Sequence, residues 1–555
     1  MEHEIKITYR DEDPTSFQKG VSLYEISKKF QNKYNYKILA GKLNNNLTDL
    51  NEIVDKKAHV DFFDRSSAIG QKIYESTVHF MLIVAAKRLF GKETHIRIEH
   101  SIDNGVYCEV RGVNLDRKKV EKIEKEMHIM RQEDLKIIKI SVSRLEAIAY
   151  FKKIKEYDKI SMLKYLTNRY VELYRLDDVY DYFFTEMAYS TNQIDSFKLT
   201  HVKNDGFILS YPDIYNPEVT LDYKHHKYVF DKFLDYTKWG ETIGIDNASD
   251  LNEIVSIGKY NEIVRLAECK FDSQLANISN IVYENKKNIK LVLIAGPSSS
   301  GKTTTSRKLA VYLQTKGFKT HAISIDDYFL NREDTPKLPN GEYDFESVRA
   351  LDLDLFNKHL TQLLEGKKVL LPEYNFVLGK KEFKKRYLEI KENDIIVIEG
   401  LHALNEKLTE AIDKKNKFNV YIGPLTQLNI DNHNRIHTTD IRKLRRIVRD
   451  NKYRGKSAAD TLGMWKNISD GEFKYIYPFQ DDADIVVNTA LIYEIGVLKT
   501  YVEPLLYSVE ETDPSFPEAT RLLRFLRNFL TIPSDDISKD SIIREFIGGS
   551  GFQEW

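Results

Sequence analysis

The stretch GPSSSGKT, Gly296 to Thr303, lies between the apolar run LVLIA and the helix-like segment TTSRKLAVYLQTKG. Its spacing fits G-x-x-x-x-G-K-[ST], the pattern of a loop whose backbone N–H groups converge on phosphate oxygens. Glycines permit the tight turn, and the following helix directs its positive dipole end at the anion. A chance Gly/Ser-rich turn is the weaker interpretation, because a strand pattern and a helix pattern flank the loop. The stretch therefore predicts a nucleoside triphosphate site.

Each residue of the loop has a predicted task. We expect Lys302 to reach the β- and γ-phosphates and Thr303 to hold Mg²⁺. The expected cofactors are therefore ATP and Mg²⁺. The predicted nucleotide-binding residues are Gly296, Pro297, Ser298, Ser299, Ser300, Gly301, Lys302, Thr303 and Thr304.

Carboxylates follow two further predicted strands, and strands alternate with helices here as a parallel α/β sheet requires. KTHAISIDDYF ends a strand in Asp326 and Asp327, and NDIIVIEGLHAL ends another in Glu399. At such strand ends we expect Asp326 or Asp327 to orient or deprotonate an acceptor hydroxyl. We expect Glu399 to act on Mg²⁺ through a bound water. The alternative is that these acids are ordinary turn residues.

An arginine-rich helix pattern follows in DIRKLRRIVRDNKYRGKS. Arginines grouped on one helix face neutralise charge on a transferring phosphoryl group when they close over a triphosphate. A solvated basic face or an RNA contact is the competing interpretation. The arginines concerned are Arg442, Arg445, Arg446, Arg449 and Arg454.

Length and composition set outer limits on the chain. Its 555 residues predict three or four domains. Lys and Arg total 83 against 84 Asp and Glu, so no global charge draws the protein to nucleic acid or membrane. Two cysteines and the lack of a long apolar run argue against a disulfide scaffold and a membrane span. We expect a soluble cytoplasmic protein.

Five segments fall in one order between about residues 290 and 490: GPSSSGKTT, ISIDDYF, LLPEYNF, IIVIEGLHAL and RRIVRD. This order resembles the uridine kinase and phosphoribulokinase group of P-loop kinases. The resemblance implies that Asp326 is the catalytic carboxylate and that Arg446 and Arg449 are lid arginines, with Lys302 as the fourth catalytic residue. The substrate-binding residues that it implies are Asp326, Tyr328, Glu346 and Tyr374.

The sequence departs from the family pattern at positions that contact the nucleoside acceptor in uridine kinases. Glu346 stands where uridine kinases carry an Asp on the ribose hydroxyls, Gly379 where a base-contacting His is expected, and Met464 where a Gln is expected. A third family arginine appears as Lys456. The parts for phosphate transfer are therefore retained, whereas the acceptor is left open.

The N-terminal half carries a second resemblance. EIKITYR, VSLYEISKKF, YKILAGKLNN and AHVDFFD together resemble a TGS domain, the β-grasp module of threonyl-tRNA synthetases. GQKIYESTVHFMLIVAAKRLFG resembles the helix that opens the editing domain of those enzymes, where two histidines four apart bind metal. Here those positions hold Glu75 and His79, and YRLDDVYDYFFTEMAYST lacks the second ligand pair. We therefore interpret His79 as a helix histidine whose hydrogen bonds are satisfied within the fold, with zinc as the weaker alternative.

These patterns predict a multidomain α/β and α+β chain. The predicted parts are a TGS-like β-grasp domain (1–62), an editing-like α+β domain (63–212), a helical linker (213–285), a P-loop kinase domain with a parallel sheet flanked by helices (286–490) and a helical extension (491–555). The leading hypothesis is an ATP-dependent kinase for a hydroxyl of a nucleoside or a related sugar-containing molecule. The alternative is an RNA-binding regulatory ATPase whose N-terminal half contacts tRNA; homo-oligomerisation stays open.

Overall fold

A computed structural model describes residues 4–202, 206–337, 341–375, 378–426 and 428–552 of the chain. Within those ranges, no helix is both long enough and apolar enough to cross a bilayer.

The helices and strands are numbered in chain order. The strands are β1 (Glu4–Tyr9), β2 (Thr15–Gln18), β3 (Val21–Ser22), β4 (Ala40–Leu43), β5 (Asn46–Thr48), β6 (Ile53–Val54), β7 (Ala58–Phe63), β8 (His95–Ile102), β9 (Gly105–Arg111), β10 (Ile137–Ser143), β11 (Tyr170–Leu176), β12 (Val179–Asp181), β13 (Lys198–His201), β14 (Gly206–Ser210), β15 (Leu291–Ala295), β16 (Lys319–Ser324), β17 (Val369–Asn375), β18 (Lys380–Leu388), β19 (Asp394–Glu399), β20 (Lys417–Gly423) and β21 (Ile485–Asn488). The helices are α1 (Leu23–Phe30), α2 (Ala68–Phe90), α3 (Arg117–Glu133), α4 (Arg144–Lys153), α5 (Tyr157–Tyr165), α6 (Lys227–Ile243), α7 (Ala248–Ser256), α8 (Tyr260–Glu284), α9 (Lys302–Thr315), α10 (Leu353–Leu364), α11 (Thr438–Arg454), α12 (Ala458–Gly463), α13 (Trp465–Tyr475), α14 (Glu494–Tyr507), α15 (Phe516–Leu526) and α16 (Arg544–Ile547).

The chain divides into two compact units, each built from three separate ranges. The first unit comprises 1–258, 427–437 and 503–531, and the second comprises 259–426, 438–502 and 532–555. The five domain ranges inferred from sequence remain predictions.

The first unit contains three larger sheets. A mixed sheet has the order β2-β1-β7-β4-β5, and its apolar face packs on α1. An antiparallel sheet has the order β13-β14-β9-β8, and a third has the order β10-β11-β12. Helix α2 is apolar around most of its circumference and lies in the core with β8 and β9. A helix that is hydrophobic on all sides is expected to be buried in this way.

The second unit is built on a fully parallel sheet with the order β16-β19-β15-β20-β21. The central strand β15, LVLIA, is buried at every position, because helices cover both faces of such sheets. The carboxyl ends of β15, β16 and β19 meet at one edge, since Ile294 and Ser324 both pair with Glu399. The predicted parallel sheet is therefore confirmed, and its edge brings the sequence-predicted residues together.

Candidate active site

The GPSSSGKT loop connects β15 to α9 and is sharply curved. Ser299 and Gly301 have the left-handed φ values of +59° and +88°. A side chain on Gly296 would come within 2.3 Å of the Ile422 carbonyl oxygen, and one on Gly301 would come within 2.9 Å of Ile542. Glycine is therefore required at both ends of the loop for backbone conformation and for close packing.

The polar groups of the loop fit a phosphate ligand. Lys302 Nζ donates to the carbonyl oxygens of Gly296 and Pro297 at 2.9 and 3.0 Å. The buried hydroxyls of Ser299 and Ser300 have no hydrogen-bond partner among the described residues. Buried polar groups usually find a partner, so unsatisfied hydroxyls in this loop agree with a site built for phosphate oxygens.

The carboxylates at the sheet edge interact with the loop lysine. Burial and the charge of Asp326 together raise the pKa of Glu399 to about 7, although Lys302 opposes the shift. Burial also raises the pKa of Asp326, against the charge of Lys302. Burial lowers the pKa of Lys302, although Glu399 and Asp326 favour its charged form. The three side chains thus form one electrostatic cluster, as expected of an acid–base site.

Asp327 has a different role from Asp326. Its carboxylate accepts from Arg386 Nη1 at 2.9 Å and from the Tyr374 backbone N–H at 3.4 Å. Arg386 and Tyr374 belong to the hairpin of β18 and β17. Asp327 therefore fixes that hairpin beside the site, which leaves Asp326 as the candidate for proton transfer.

Two of the other predicted substrate residues lie at the site and one does not. Burial and the charge of Glu472 raise the pKa of Glu346 to about 7, although Arg446 and Lys302 oppose the shift. Tyr374 packs its ring 5.6 Å from Phe329. Tyr328 is instead only 1% exposed and bonds through its hydroxyl to His359 Nδ1 at 3.0 Å. Tyr328 thus stabilises the contact with α10 rather than lining a cavity.

The departures from the family pattern have local structural reasons. Gly379 has a φ of +66°, and a side chain there would come within 2.8 Å of Arg332 Nε. The Met464 sulfur accepts from Lys456 Nζ at 3.1 Å. Phe376, at the end of the LLPEYNF motif, lies outside the described residues. Neither Gly379 nor Met464 offers the hydrogen bonds that a base-reading His or Gln would make.

The arginines of α11 divide into two groups. Arg446 Nη1 donates to Ser298 Oγ in the loop, and Arg446 and Arg449 both pair with Asp450, at 3.1 and 2.7 Å. These are the two predicted lid arginines. Arg445 is fully buried against Glu494 at 2.7 Å, and Arg442 is held equally deep by Glu472. Arg442 and Arg445 therefore anchor the helix.

Sequence reasoning missed two glutamates at the loop. Glu472 of α13 accepts from the Ser298 backbone N–H at 2.8 Å. Glu545 of α16 accepts from the Thr304 backbone N–H at 3.1 Å and from the Thr304 hydroxyl at 2.7 Å. No motif surrounds either residue, and the sequence predicts only a helical extension for the C-terminal segment. Only the fold brings them to the loop.

Among the described residues, no group of three or more His, Cys, Asp or Glu side chains has the arrangement of a metal site. Mg²⁺ in nucleotide sites usually takes one or two protein ligands, and phosphates and waters supply the rest. Thr303 and Glu399 would be those ligands, and Ser324 Oγ already donates to Glu399 Oε1 at 3.3 Å.

The first unit contains a buried polar cluster at the positions compared with synthetase metal ligands. Glu75 Oε1 accepts from Arg435 Nε at 2.7 Å, and burial lowers the pKa of the neighbouring His79 to about 4. Nearby, Asp181 accepts from His433 at 2.6 Å and from Lys159 at 2.7 Å. The position of the first metal ligand is therefore taken by an ion pair with the chain's own Arg435.

Known proteins resemble both halves of the chain. The model of the Phosphoribulokinase / Uridine kinase family matches residues 291–493. The uridine kinase of Bacillus pumilus is 30% identical over 196 residues, which are 35% of this chain and 83% of that protein. The uridine kinase of Saccharomyces cerevisiae is 28% identical over 265 residues, 46% of each chain. The threonine–tRNA ligase of Caldanaerobacter subterraneus subsp. tengcongensis is 29% identical over 198 residues, 35% of this chain and 31% of that protein.

The threonine–tRNA ligase resemblance falls on the N-terminal half, and the chain spans less than half the length of that ligase and of the yeast kinase. The family model instead covers the parallel sheet, the phosphate loop and α11, and the match to the Bacillus pumilus kinase takes in 83% of that protein. On these grounds the chain belongs to the Phosphoribulokinase / Uridine kinase family.

Proposed function

We propose that this protein is an ATP-dependent, Mg²⁺-requiring kinase that transfers the γ-phosphate to a hydroxyl of a nucleoside or a related small sugar-containing molecule. The observation that carries the proposal is the electrostatic cluster of Lys302, Asp326 and Glu399 at one edge of the parallel sheet. A phosphate-binding lysine, a buried carboxylate for the acceptor and a carboxylate for the metal are the parts that phosphoryl transfer needs. Family membership supports the same reaction class.

The proposed roles follow from position. Bound MgATP supplies the phosphoryl group. Lys302 and the loop amides hold phosphate oxygens, Thr303 and Glu399 hold Mg²⁺, and Asp326 takes the proton from the acceptor hydroxyl. Because the pKa of Asp326 is raised by burial, this carboxylate is a stronger base than a solvated aspartate. Arg446 and Arg449 neutralise charge that develops on the transferred group.

The acceptor is proposed only by chemical class. Glu346 lies at the site with a carboxylate suited to a vicinal diol, as in a sugar. Gly379 and Met464 lack the side-chain hydrogen bonds with which a His and a Gln would recognise a pyrimidine base. We therefore place acceptor recognition on the sugar hydroxyls, and a base contact, if one exists, on other groups.

Radiolabelled ATP tests the proposal directly. Full-length protein is incubated with a panel of nucleosides, sugars and sugar phosphates, and products are separated by chromatography. At least one labelled acceptor is expected with the wild type and none with Lys302→Ala. Triphosphate binding without any labelled acceptor across the panel would contradict the kinase assignment.

A second candidate function rests on the first unit. We infer from its similarity to a threonine–tRNA ligase that 1–62 and 63–212 form TGS-like and editing-like domains that contact tRNA. In that case ATP hydrolysis is a switch rather than a step in acceptor phosphorylation. A tRNA mobility shift with the full-length chain at two salt concentrations separates the candidates, since phosphate contacts weaken steeply with salt. A lack of salt-sensitive binding would remove this candidate.

A further inference from the structure

The C-terminal segment places a negative charge on groups that a triphosphate would use. A single oxygen of Glu545 accepts from both the backbone N–H and the hydroxyl of Thr304. Thr304 lies in the first turn of α9, where free N–H groups and the helix dipole favour an anion. The Glu545 carboxylate is only 6% exposed, so it replaces solvent at this position. It stands where a phosphate oxygen would be expected.

Several contacts hold this segment against the loop and α11. The Ile542 side chain packs against Gly301, so that a Cβ on the glycine would come within 2.9 Å of it. Lys452 of α11 donates to the Ile547 carbonyl oxygen. The Phe546 ring lies 5.1 Å from the Arg445 guanidinium. The position of Glu545 is therefore fixed by packing on both sides.

Two other donors of the loop, the Ser298 N–H and Lys302 Nζ, are also satisfied from within the chain. Glu472 accepts from the Ser298 N–H, and Lys302 donates to two loop carbonyl oxygens. Glu472 is further held by its ion pair with the buried Arg442. Glu545, in contrast, forms no ion pair in the ranges that the structure describes. Lys302 and Glu545 interact electrostatically, but Glu545 lacks the direct ion pair that holds Glu472, so Glu545 is the easier of the two to displace.

We propose that residues 541–547 form an autoinhibitory segment in which Glu545 competes with the triphosphate for the Thr304 donors, so that nucleotide binding releases the segment. The inference rests on the proposed function, because it assumes that the loop binds a triphosphate. A carboxylate and a phosphate oxygen cannot share the same two donors, and their charges repel. The autoinhibitory segment thus lowers the affinity of the loop for nucleotide.

The test compares the affinity of a nonhydrolysable ATP analogue for full-length wild type and Glu545→Gln, measured by calorimetry with Mg²⁺. The neutral amide keeps the shape of the side chain but competes less well, since hydrogen bonds to charged acceptors are roughly twice as strong as neutral ones. We expect Glu545→Gln to tighten binding about 10-fold. Asp535→Asn removes a charge at an exposed position of the same C-terminal range and is expected to leave the affinity unchanged.

A second variant and a second measurement keep the inference testable if Glu545→Gln does not fold. Ile542→Ala loosens the segment without changing charge at the loop and should also tighten binding. Hydrogen exchange of residues 541–547 in the wild type should increase when the analogue saturates the protein. Equal or weaker binding by Glu545→Gln, or unchanged exchange in this segment, would overturn the inference while leaving the proposed function standing. Failure of the wild type and both variants to bind the analogue would instead contradict the proposed function.

Discussion

At the scale of single residues, Asp326 and Asp327 are neighbours in sequence with separate tasks. Asp326 interacts electrostatically with Lys302, whereas Asp327 holds Arg386 of the β17–β18 hairpin. Asp326→Asn should lower the rate of phosphoryl transfer about 100- to 10,000-fold, because the base is lost. Nucleotide affinity should change little. Steady-state kinetics and calorimetry on the same preparations measure both quantities.

Asp327→Asn is the matched control for that prediction. It removes the same charge one residue away and should weaken the hairpin contact more than the chemical step. A loss of rate in Asp327→Asn as large as that in Asp326→Asn would refute the assignment of the base.

The raised pKa of Glu399, about 7 against an ordinary 4.5, makes a prediction about pH. Between these two pH values the folded state keeps a proton on Glu399 that the unfolded state releases. The contribution of Glu399 to the free energy of unfolding of the nucleotide-free protein therefore falls as pH rises from about 4.5 to about 7. Glu399→Gln cannot ionise. Its thermal midpoint relative to wild type should therefore rise between about pH 5 and about pH 7.5. The exposed Glu392→Gln is the control, and a midpoint difference for Glu399→Gln that is independent of pH would contradict the prediction.

At the scale of elements, helix α11 carries both the anchoring arginines and the two proposed lid arginines. Arg445→Ala leaves Glu494 buried without its cation and should destabilise the protein by about 3 to 5 kcal/mol. Arg449 pairs with Asp450 and its charge acts on Asp326, so Arg449→Ala should lower the turnover number about 100-fold with a much smaller change in unfolding. Thermal unfolding and kinetics of the two variants check this division. Similar unfolding losses for both would show that α11 is only structural.

Sequence pattern predicted some elements of the site and could not predict others. The loop, the strand-end acids and α11 were predictable, because each depends on local spacing or on the period of a strand or helix. Glu472 and Glu545 reach the loop from α13 and α16, and no local signal marks such tertiary contacts. Motif position predicts Tyr328 as a substrate residue, but its hydroxyl bonds to His359 of α10 in the fold.

At the scale of the whole molecule, the chain crosses between the two compact units more than once. Residues 427–437 precede α11 in sequence but belong to the first unit, where Arg435 pairs with Glu75 of α2. Sequence order predicted the parallel α/β sheet in the C-terminal half of the chain. It could not predict this assignment, because the ion pair joins residues far apart in the chain and no periodic pattern links them.

The buried Glu75–Arg435 pair predicts a specific stability effect. Arg435→Met leaves the Glu75 carboxylate buried without its cation and should destabilise the full-length protein by about 3 to 5 kcal/mol. Adding Glu75→Gln should recover much of the loss, since the uncompensated charge is then removed. Urea unfolding of the single and double variants measures this. A single variant as stable as wild type would contradict the importance of the pair.

The central claim is that one sheet edge binds a triphosphate and moves its γ-phosphate to a hydroxyl. The most direct measurement is a single-turnover assay with radiolabelled ATP, run on wild type and Asp326→Asn in the presence of the acceptor panel. We expect a labelled acceptor with wild type and almost none with Asp326→Asn, although both bind the nonhydrolysable analogue equally. Release of labelled inorganic phosphate alone, or equal acceptor labelling by both proteins, would contradict it.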